Sequence, residues 1–164
     1  MQLPHRKPPK FTQYATDPLI TRAKFGELQK RLARLLADRP RVADEVHRLA
    51  QNGDFSENAE YQMAKGRLRG MNDEIDRLQF QLDRAEIIDA RDADRVSIGH
   101  MVTVLVSAKE VAYRILGSTE TDPARGVISY TSPIGAALLG KKVGDEIAIE
   151  IAGRKILYKI LAIT

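Results

Sequence analysis

The sequence predicts an α+β protein in two parts: a long antiparallel α-helical coiled-coil hairpin, then a small, mostly antiparallel β domain with one short helix. Three observations carry this. Apolar residues recur at alternating three- and four-residue spacings between Phe25 and Ala85, which is the pattern of a heptad seam. After about residue 90 the pattern changes to short β-branched runs, several with period-two alternation. A polar, charged stretch, DARDADR at 89–95, separates the two regimes. The expected domains are therefore a basic, flexible tail over 1–17, a coiled-coil hairpin over 18–90 with its tip at 53–57, and a β domain over 91–164.

The tail comes first. MQLPHRKPPKFTQYATD is basic and proline-containing, with no apolar core of the kind a signal peptide needs. The hairpin follows as two ladders. The first runs Phe25, Leu28, Leu32, Leu35, Arg39, Val42, Val46, Leu49. The second runs Tyr61, Ala64, Leu68, Met71, Ile75, Leu78, Leu82, Ala85. They mirror each other: Leu49 faces Tyr61, Val46 faces Ala64, and so on down to Phe25 and Ala85, the two numbers of every pair totalling 110. An antiparallel pair of helices folded about Phe55 puts each pair in one layer. About 30 residues at ~1.5 Å each give a rod of ~45 Å, too long to hide in a small domain, so it is expected to project.

Three positions depart from an ideal ladder. Pro40 lies inside the first helix, where proline ordinarily kinks or breaks it; Asp38 could cap a restart with Pro40 near its first position, but the spacing keeps its phase across Pro40, so a kink is expected. Arg39 takes a seam position opposite Met71, its stem able to pack while its head reaches water. Gly66 and Gly70 fall on the outer face of the second helix, each costing roughly 1 kcal/mol relative to alanine.

In the second half, HMVTVLV, EVAYRILG, GVISYTS, DEIAIEI and KILYKILAI read as strands. Ala152-Gly153 separates the last two as a hairpin turn, and KKVGDE is a loop. SPIGAALLG reads as a short helix with Ser132 as N-cap, Pro133 at its first position and Gly140 just past its end.

Composition limits what the chain can do. It has 164 residues, 43% hydrophobic and 29% charged, which places it among folded rather than disordered chains. It has no cysteine, hence no disulfide and no thiolate metal site, in keeping with a cytoplasmic location. No apolar run approaches the ~20 residues of a membrane span, so no membrane partner is expected. The net charge of +4 divides as +2 over residues 1–18, zero over 19–90 and +2 over 91–164, too mild for an autonomous nucleic-acid binder.

Against that basic balance, NGDFSENAEY at 52–61 gathers Asp54, Glu57 and Glu60. Two readings stand. Asn52-Gly53 ends one helix, and Asp54 with Glu57 forms a capping box at the start of the next, favoured by the helix dipole. Alternatively, the pair is a metal half-site at the end of a rod. Two carboxylates alone do not hold Mg²⁺ firmly, and such sites take further ligands. A half-site would then be delivered into another molecule's metal centre. Behind the tip, Lys65, Arg67 and Arg69 form a basic band, with Arg41 level with Arg69 across the hairpin. It is either a solvated face or a contact for phosphates. His5, His47 and His100 have no ligand spacing, and no phosphate loop or nucleophile motif is present.

GDFSENAEYQMAK at 53–65, RLRGMNDEIDRL at 67–78 and SPIGAALLGKKVGDEI at 132–147 resemble the bacterial Gre transcript-cleavage factors, and the likeness covers about residues 18–164. RPRVADEV at 39–46 and KGRLRG lean toward the GreB branch, NAEY and SPIG toward GreA. The resemblance implies an FKBP-like fold for the β domain, which docks at the rim of the RNA polymerase secondary channel. It implies a hairpin that enters the channel and stimulates the polymerase's own cleavage of backtracked RNA, the factor itself not being an enzyme. Asp54 matches the residue that helps hold a second Mg²⁺ jointly with the polymerase, and Glu57 matches its partner that positions water. Arg41, Lys65, Arg67 and Arg69 overlie the basic patch near the RNA 3′ end. Thr131, Ser132, Pro133 and Ile134 overlie the rim-docking segment. A cytoplasmic monomer is expected.

Three other readings are distinguishable. A Gre-like channel binder that inhibits or modulates the polymerase without stimulating cleavage would have the same rod. A prolyl isomerase would need clustered aromatics, but all four Phe lie before residue 81, there is no Trp, and the second half has only Tyr113, Tyr130 and Tyr158. A structural adaptor would tolerate any substitution at the tip.

Overall fold

The computed structural model describes residues 17–51, 59–88, 94–151 and 153–164. The architecture is α+β. Gly26–Arg84 makes up one compact unit, and Ala85–Thr164 together with the short segment 17–25 makes up the other. The segment 17–25 joins the second unit through a strand pair that no local pattern announces. β1 (Leu19–Ile20) pairs in parallel with β2 (Glu86–Ile87), through Glu86 N–H to Pro18 O at 2.8 Å and Ile88 N–H to Ile20 O at 2.9 Å. Ile20 is fully buried.

The helical unit contains two long helices. α1 (Arg22–Ala50) runs unbroken through Pro40, as the preserved phase of its ladder requires. α2 (Ala59–Asp83) returns. The ladder positions are the covered ones: Leu28, Val42, Ala64, Ile75 and Leu78 are buried, and the remaining seam residues are half-buried except Arg39. Polar groups cross between the helices close to the expected mirror positions. Arg39 reaches Asn72, one residue past its mirror partner Met71. Glu45 reaches Arg67, two residues past Lys65. Arg31 also pairs with Glu74. Gly66 and Gly70 are exposed, and a Cβ at either would meet nothing within 4 Å.

The second unit is built on a five-stranded sheet in the order β5-β4-β3-β7-β6, with β3 (Met101–Val106), β4 (Lys109–Leu116), β5 (Val127–Ser129), β6 (Glu146–Ile151) and β7 (Arg154–Ile163). All neighbours are antiparallel except β4 and β5, which pair in parallel through two intervening 3₁₀ turns, Ser118–Glu120 and Pro123–Arg125. Alternation along the strands sends Val102, Val104, Ile147, Ile149, Tyr158 and Ile160 into one core with Ile115, Leu138 and Val96. The pairing of β3 with β7 slips between Thr103 and Val104. That extra residue is why Ile160 and Ile163, three apart, both face the core.

The short helix α3 (Pro133–Leu138) starts as its sequence predicts. Ser132 Oγ accepts from Gly135 N–H and Pro133 takes the first position. Gly140 follows the helix with φ +75° and donates its N–H to Val96 O at 2.8 Å.

Candidate functional site

The tip residues Asp54 and Glu57 fall in 52–58 and lie outside the described residues. The ends of the two helices that flank it carry opposite charges. α1 carries His47 and Arg48 in its last turn, and α2 carries Glu60 in its first. Each sign opposes the local helix dipole. Among the described residues, no group of three or more His, Asp or Glu could hold a metal ion.

Helical geometry divides the four basic residues behind the tip. Lys65 and Arg69, four apart on α2, share one side, whereas Arg67 lies between them in sequence and faces another. Arg41 and Arg67 line one shallow groove of about 480 Å³ with Arg48, Asp44 and Glu45. In it Arg67 Nη1 donates to Glu45 Oε2 at 3.0 Å, while Arg41 Nη2 is 4.0 Å from Asp38 Oδ1. Lys65 Nζ lies 5.7 Å from the centroid of the Tyr61 ring, a cation–π arrangement. Arg48, which the sequence reading did not single out, joins the groove. It sits seven residues after Arg41, two helical turns along the same face, and that spacing was the signal.

The docking segment resolves into structural and outward-facing groups. Ser132 Oγ donates to Ser129 O at 2.7 Å and accepts from Gly135 N–H at 3.0 Å, so its hydroxyl is spent on capping α3. Ile134 is half-buried and packs against the core. A Cβ on Gly135 would meet Ser129 O at 2.1 Å, so the chain passes too closely there for any side chain. Thr131 and Pro133 are exposed. Thr131 Oγ1 is hydrogen-bonded to Ser129 Oγ at 2.7 Å, and Thr131 N–H donates to the same Ser129 Oγ at 3.1 Å. Among the described residues, no helix is long and apolar enough to cross a membrane.

Comparison with known proteins agrees on one family across both units. Residues 18–87 match the family "Transcription elongation factor, N-terminal", and residues 91–164 match "Transcription elongation factor, GreA/GreB, C-term". The transcription elongation factor GreA of a Nitratiruptor species is 36% identical over 148 residues, covering 88% of this chain and 91% of that protein. GreA of Zymomonas mobilis is 40% identical over 136 residues, covering 81% of this chain and 86% of that protein. Among solved structures, GreA factor homolog 1 of Thermus thermophilus is 23% identical, with a TM-score of 0.42 over 90% of this chain and 99% of that one. The two family matches together span nearly all of residues 18–164, and the chain belongs to the GreA/GreB family of transcription elongation factors.

Proposed function

We propose that this protein acts on RNA polymerase by entering its secondary channel and stimulating the polymerase's own cleavage of backtracked RNA, so that arrested complexes resume. The observation that carries the reading is the hairpin. Two paired helices of 29 and 25 residues are joined by a segment containing Asp54 and Glu57, in a chain of the elongation-factor family. A long pair of helices with a short acidic connection is a delivery device: its seam supplies rigidity, and its connection supplies the chemistry.

The donor set fits Mg²⁺ in kind and falls short of it in number. Carboxylate oxygens are the hard ligands that ion takes, but two of them do not make a complete site. Asp54 would hold the ion jointly with ligands of the polymerase, and Glu57 would accept a hydrogen bond from the attacking water and orient it. When bound, a second metal ion in such a centre stabilises the attacking and leaving oxygens of the phosphoryl group. Arg41, Arg67, Lys65 and Arg69 stand about 10–15 residues behind the tip, roughly 15–22 Å along a helix, at a distance suited to phosphates of the displaced RNA end. Thr131 and Pro133 would meet the channel rim.

The test is a backtracked elongation complex incubated with Mg²⁺ and the protein. Shortened RNA is expected with the natural sequence and none with Asp54→Asn, while polymerase binding persists in both. Binding without any shortened RNA from the natural sequence would make the protein a channel competitor instead. Loss of binding in Asp54→Asn would make the tip a docking element.

A further inference from the structure

A carboxylate and three hydroxyls form one hydrogen-bonded chain inside the second unit. Asp17 Oδ2 accepts from Ser118 N–H at 2.7 Å and from Ser118 Oγ at 2.9 Å. Ser118 Oγ lies 3.2 Å from Ser129 Oγ, and Ser129 Oγ lies 2.7 Å from Thr131 Oγ1. Thr131 N–H also donates to Ser129 Oγ, at 3.1 Å. All four residues belong to the unit that contains the β domain.

The backbone sets the spacing. Leu116 pairs with Ser129 across β4 and β5, which carries Ser118 to the side of Ser129. The segment before α1 is pressed against the same place: a Cβ on Gly117 would collide with Leu19 O. Glu120 clasps it as well, its two oxygens accepting from Thr21 N–H and Thr21 Oγ1, each at 2.7 Å. Thr21 Oγ1 accepts in turn from Lys24 N–H at 3.1 Å, in the first turn of α1.

Counting hydrogens gives the chain a direction. A hydroxyl has one hydrogen to donate, and a carboxylate only accepts. Ser118 spends its hydrogen on Asp17, so Ser129 donates to Ser118. Ser129 then has none left, and its oxygen accepts from Thr131 Oγ1 as well as from Thr131 N–H. Both lone pairs of this buried hydroxyl are thereby filled. Every O–H runs toward Asp17, and hydrogen bonds ordered in this way strengthen one another. Thr131 is exposed, and its hydroxyl keeps lone pairs but has no hydrogen to offer a partner.

We infer that Asp17 and Ser118 are positioning residues for the segment at Thr131 and Pro133: they fix the Thr131 hydroxyl as an acceptor, so the group it meets on the polymerase is a hydrogen-bond donor, a guanidinium, ammonium or amide N–H. The inference rests on the proposed docking of this segment at the channel rim. A hydroxyl turned the other way would set donor against donor and leave the partner's N–H unpaired, which is the costly outcome at a buried contact.

The test uses the full-length protein and reads polymerase affinity, melting temperature and the cleavage rate at saturating factor. Thr131→Val removes the acceptor and should weaken affinity about tenfold, the loss of one hydrogen bond whose donor stays unpaired. Thr131→Asp, which only accepts, should stay within about twofold of the parent, whereas Thr131→Lys, which only donates, should lose at least about tenfold. Ser118→Ala keeps the backbone and breaks the chain. It should weaken affinity about threefold, with the saturating rate within about twofold and the melting temperature within about 2 °C of the parent. Ser118→Thr, which keeps the hydroxyl, should bind as the parent does. Asp17→Ala should match Ser118→Ala in affinity, and if it does not fold the Ser118 variants decide. Added to Thr131→Val, Ser118→Ala should cost nothing more, because it acts through Thr131. Parental affinity in Ser118→Ala, or an undiminished further loss in the double variant, overturns the inference and leaves the docking reading intact. Equal losses in Thr131→Asp and Thr131→Lys overturn the assigned polarity. Parental affinity in Thr131→Val removes the segment from the docking surface, and the inference with it.

Discussion

Arg39 of α1 donates from Nε to Asn72 Oδ1 of α2 at 2.7 Å. This bond explains how a charged residue occupies a seam position in the hairpin. Arg39 is exposed, and its guanidinium is received by Asn72, next to the mirror partner Met71. The arrangement keeps the heptad phase on both sides of Pro40 at the cost of one apolar layer.

Asn72→Ala should lower hairpin stability by about 0.5–1.5 kcal/mol, the net contribution of a typical hydrogen bond. Arg39→Leu should raise it by about 1 kcal/mol by completing the seam. Urea unfolding followed by helical circular dichroism measures both. A loss in Arg39→Leu larger than that in Asn72→Ala would mean that the pair contributes more than the apolar layer it displaces.

Arg67 is held by Glu45 across the hairpin, and exposed pairs of this kind contribute only ~0–1 kcal/mol. Arg67→Ala should leave stability within about 1 kcal/mol, yet it strips one cation from the groove and leaves Glu45 uncompensated beside Arg41 and Arg48. Stimulated cleavage should fall severalfold in Arg67→Ala and recover in part when Glu45→Ala is added. Equal activity of the single and double variants would show that the groove does not face phosphates.

Ser132 and Thr131 should separate by the kind of defect they cause. Ser132→Ala removes the cap of α3 and should cost about 1 kcal/mol, and Gly135→Ala should cost more because its Cβ meets Ser129 O. Replacing exposed Thr131 by Lys should leave the melting temperature within about 2 °C while weakening polymerase binding. Calorimetry beside a binding titration distinguishes the two. A Thr131→Lys variant that binds normally would remove this segment from the docking surface.

Burial raises the Tyr158 phenol above its ordinary value of 10.0, with the nearby Tyr113 adding to the effect. The folded state therefore holds this proton more tightly than the unfolded state. Its contribution is fully present below the unfolded value near 10 and is lost as pH rises through the folded one. This contribution should be constant through neutral pH and be lost above about pH 10, so the alkaline decline in stability should be shallower in Tyr158→Phe. A Tyr158→Phe variant with an identical alkaline limb would place the titrating group elsewhere.

How much could be read in advance follows from distance along the chain. The seam from Phe25 to Ala85 was legible because a helix repeats every 3.6 residues and every third or fourth side chain returns to one face. The cap at Ser132, the proline after it and Gly140 were legible because each answers a need of its immediate neighbours. The basic residues were read as one band, although residues 65, 67 and 69 step by two and a helix does not put such steps on one face. The acidic connection at Asp54 and Glu57 stands out as a departure from the surrounding charge balance.

Other features had no local signal. Nothing near Leu19 foretells Glu86, and nothing near Thr21 foretells Glu120. The parallel pairing of β4 with β5, and the slip that brings both Ile160 and Ile163 inward, depend on which strand lies alongside. Local periodicity and capping are properties of contiguous residues, whose geometry the backbone imposes whatever else the chain does. The choice of partner across 67 or 99 positions is a competition among many pairings of similar local quality, and burial of the shared core decides it. By itself, then, the sequence determined two helices in register and a β domain with a capped helix. The tertiary structure decided what holds the first turn of α1.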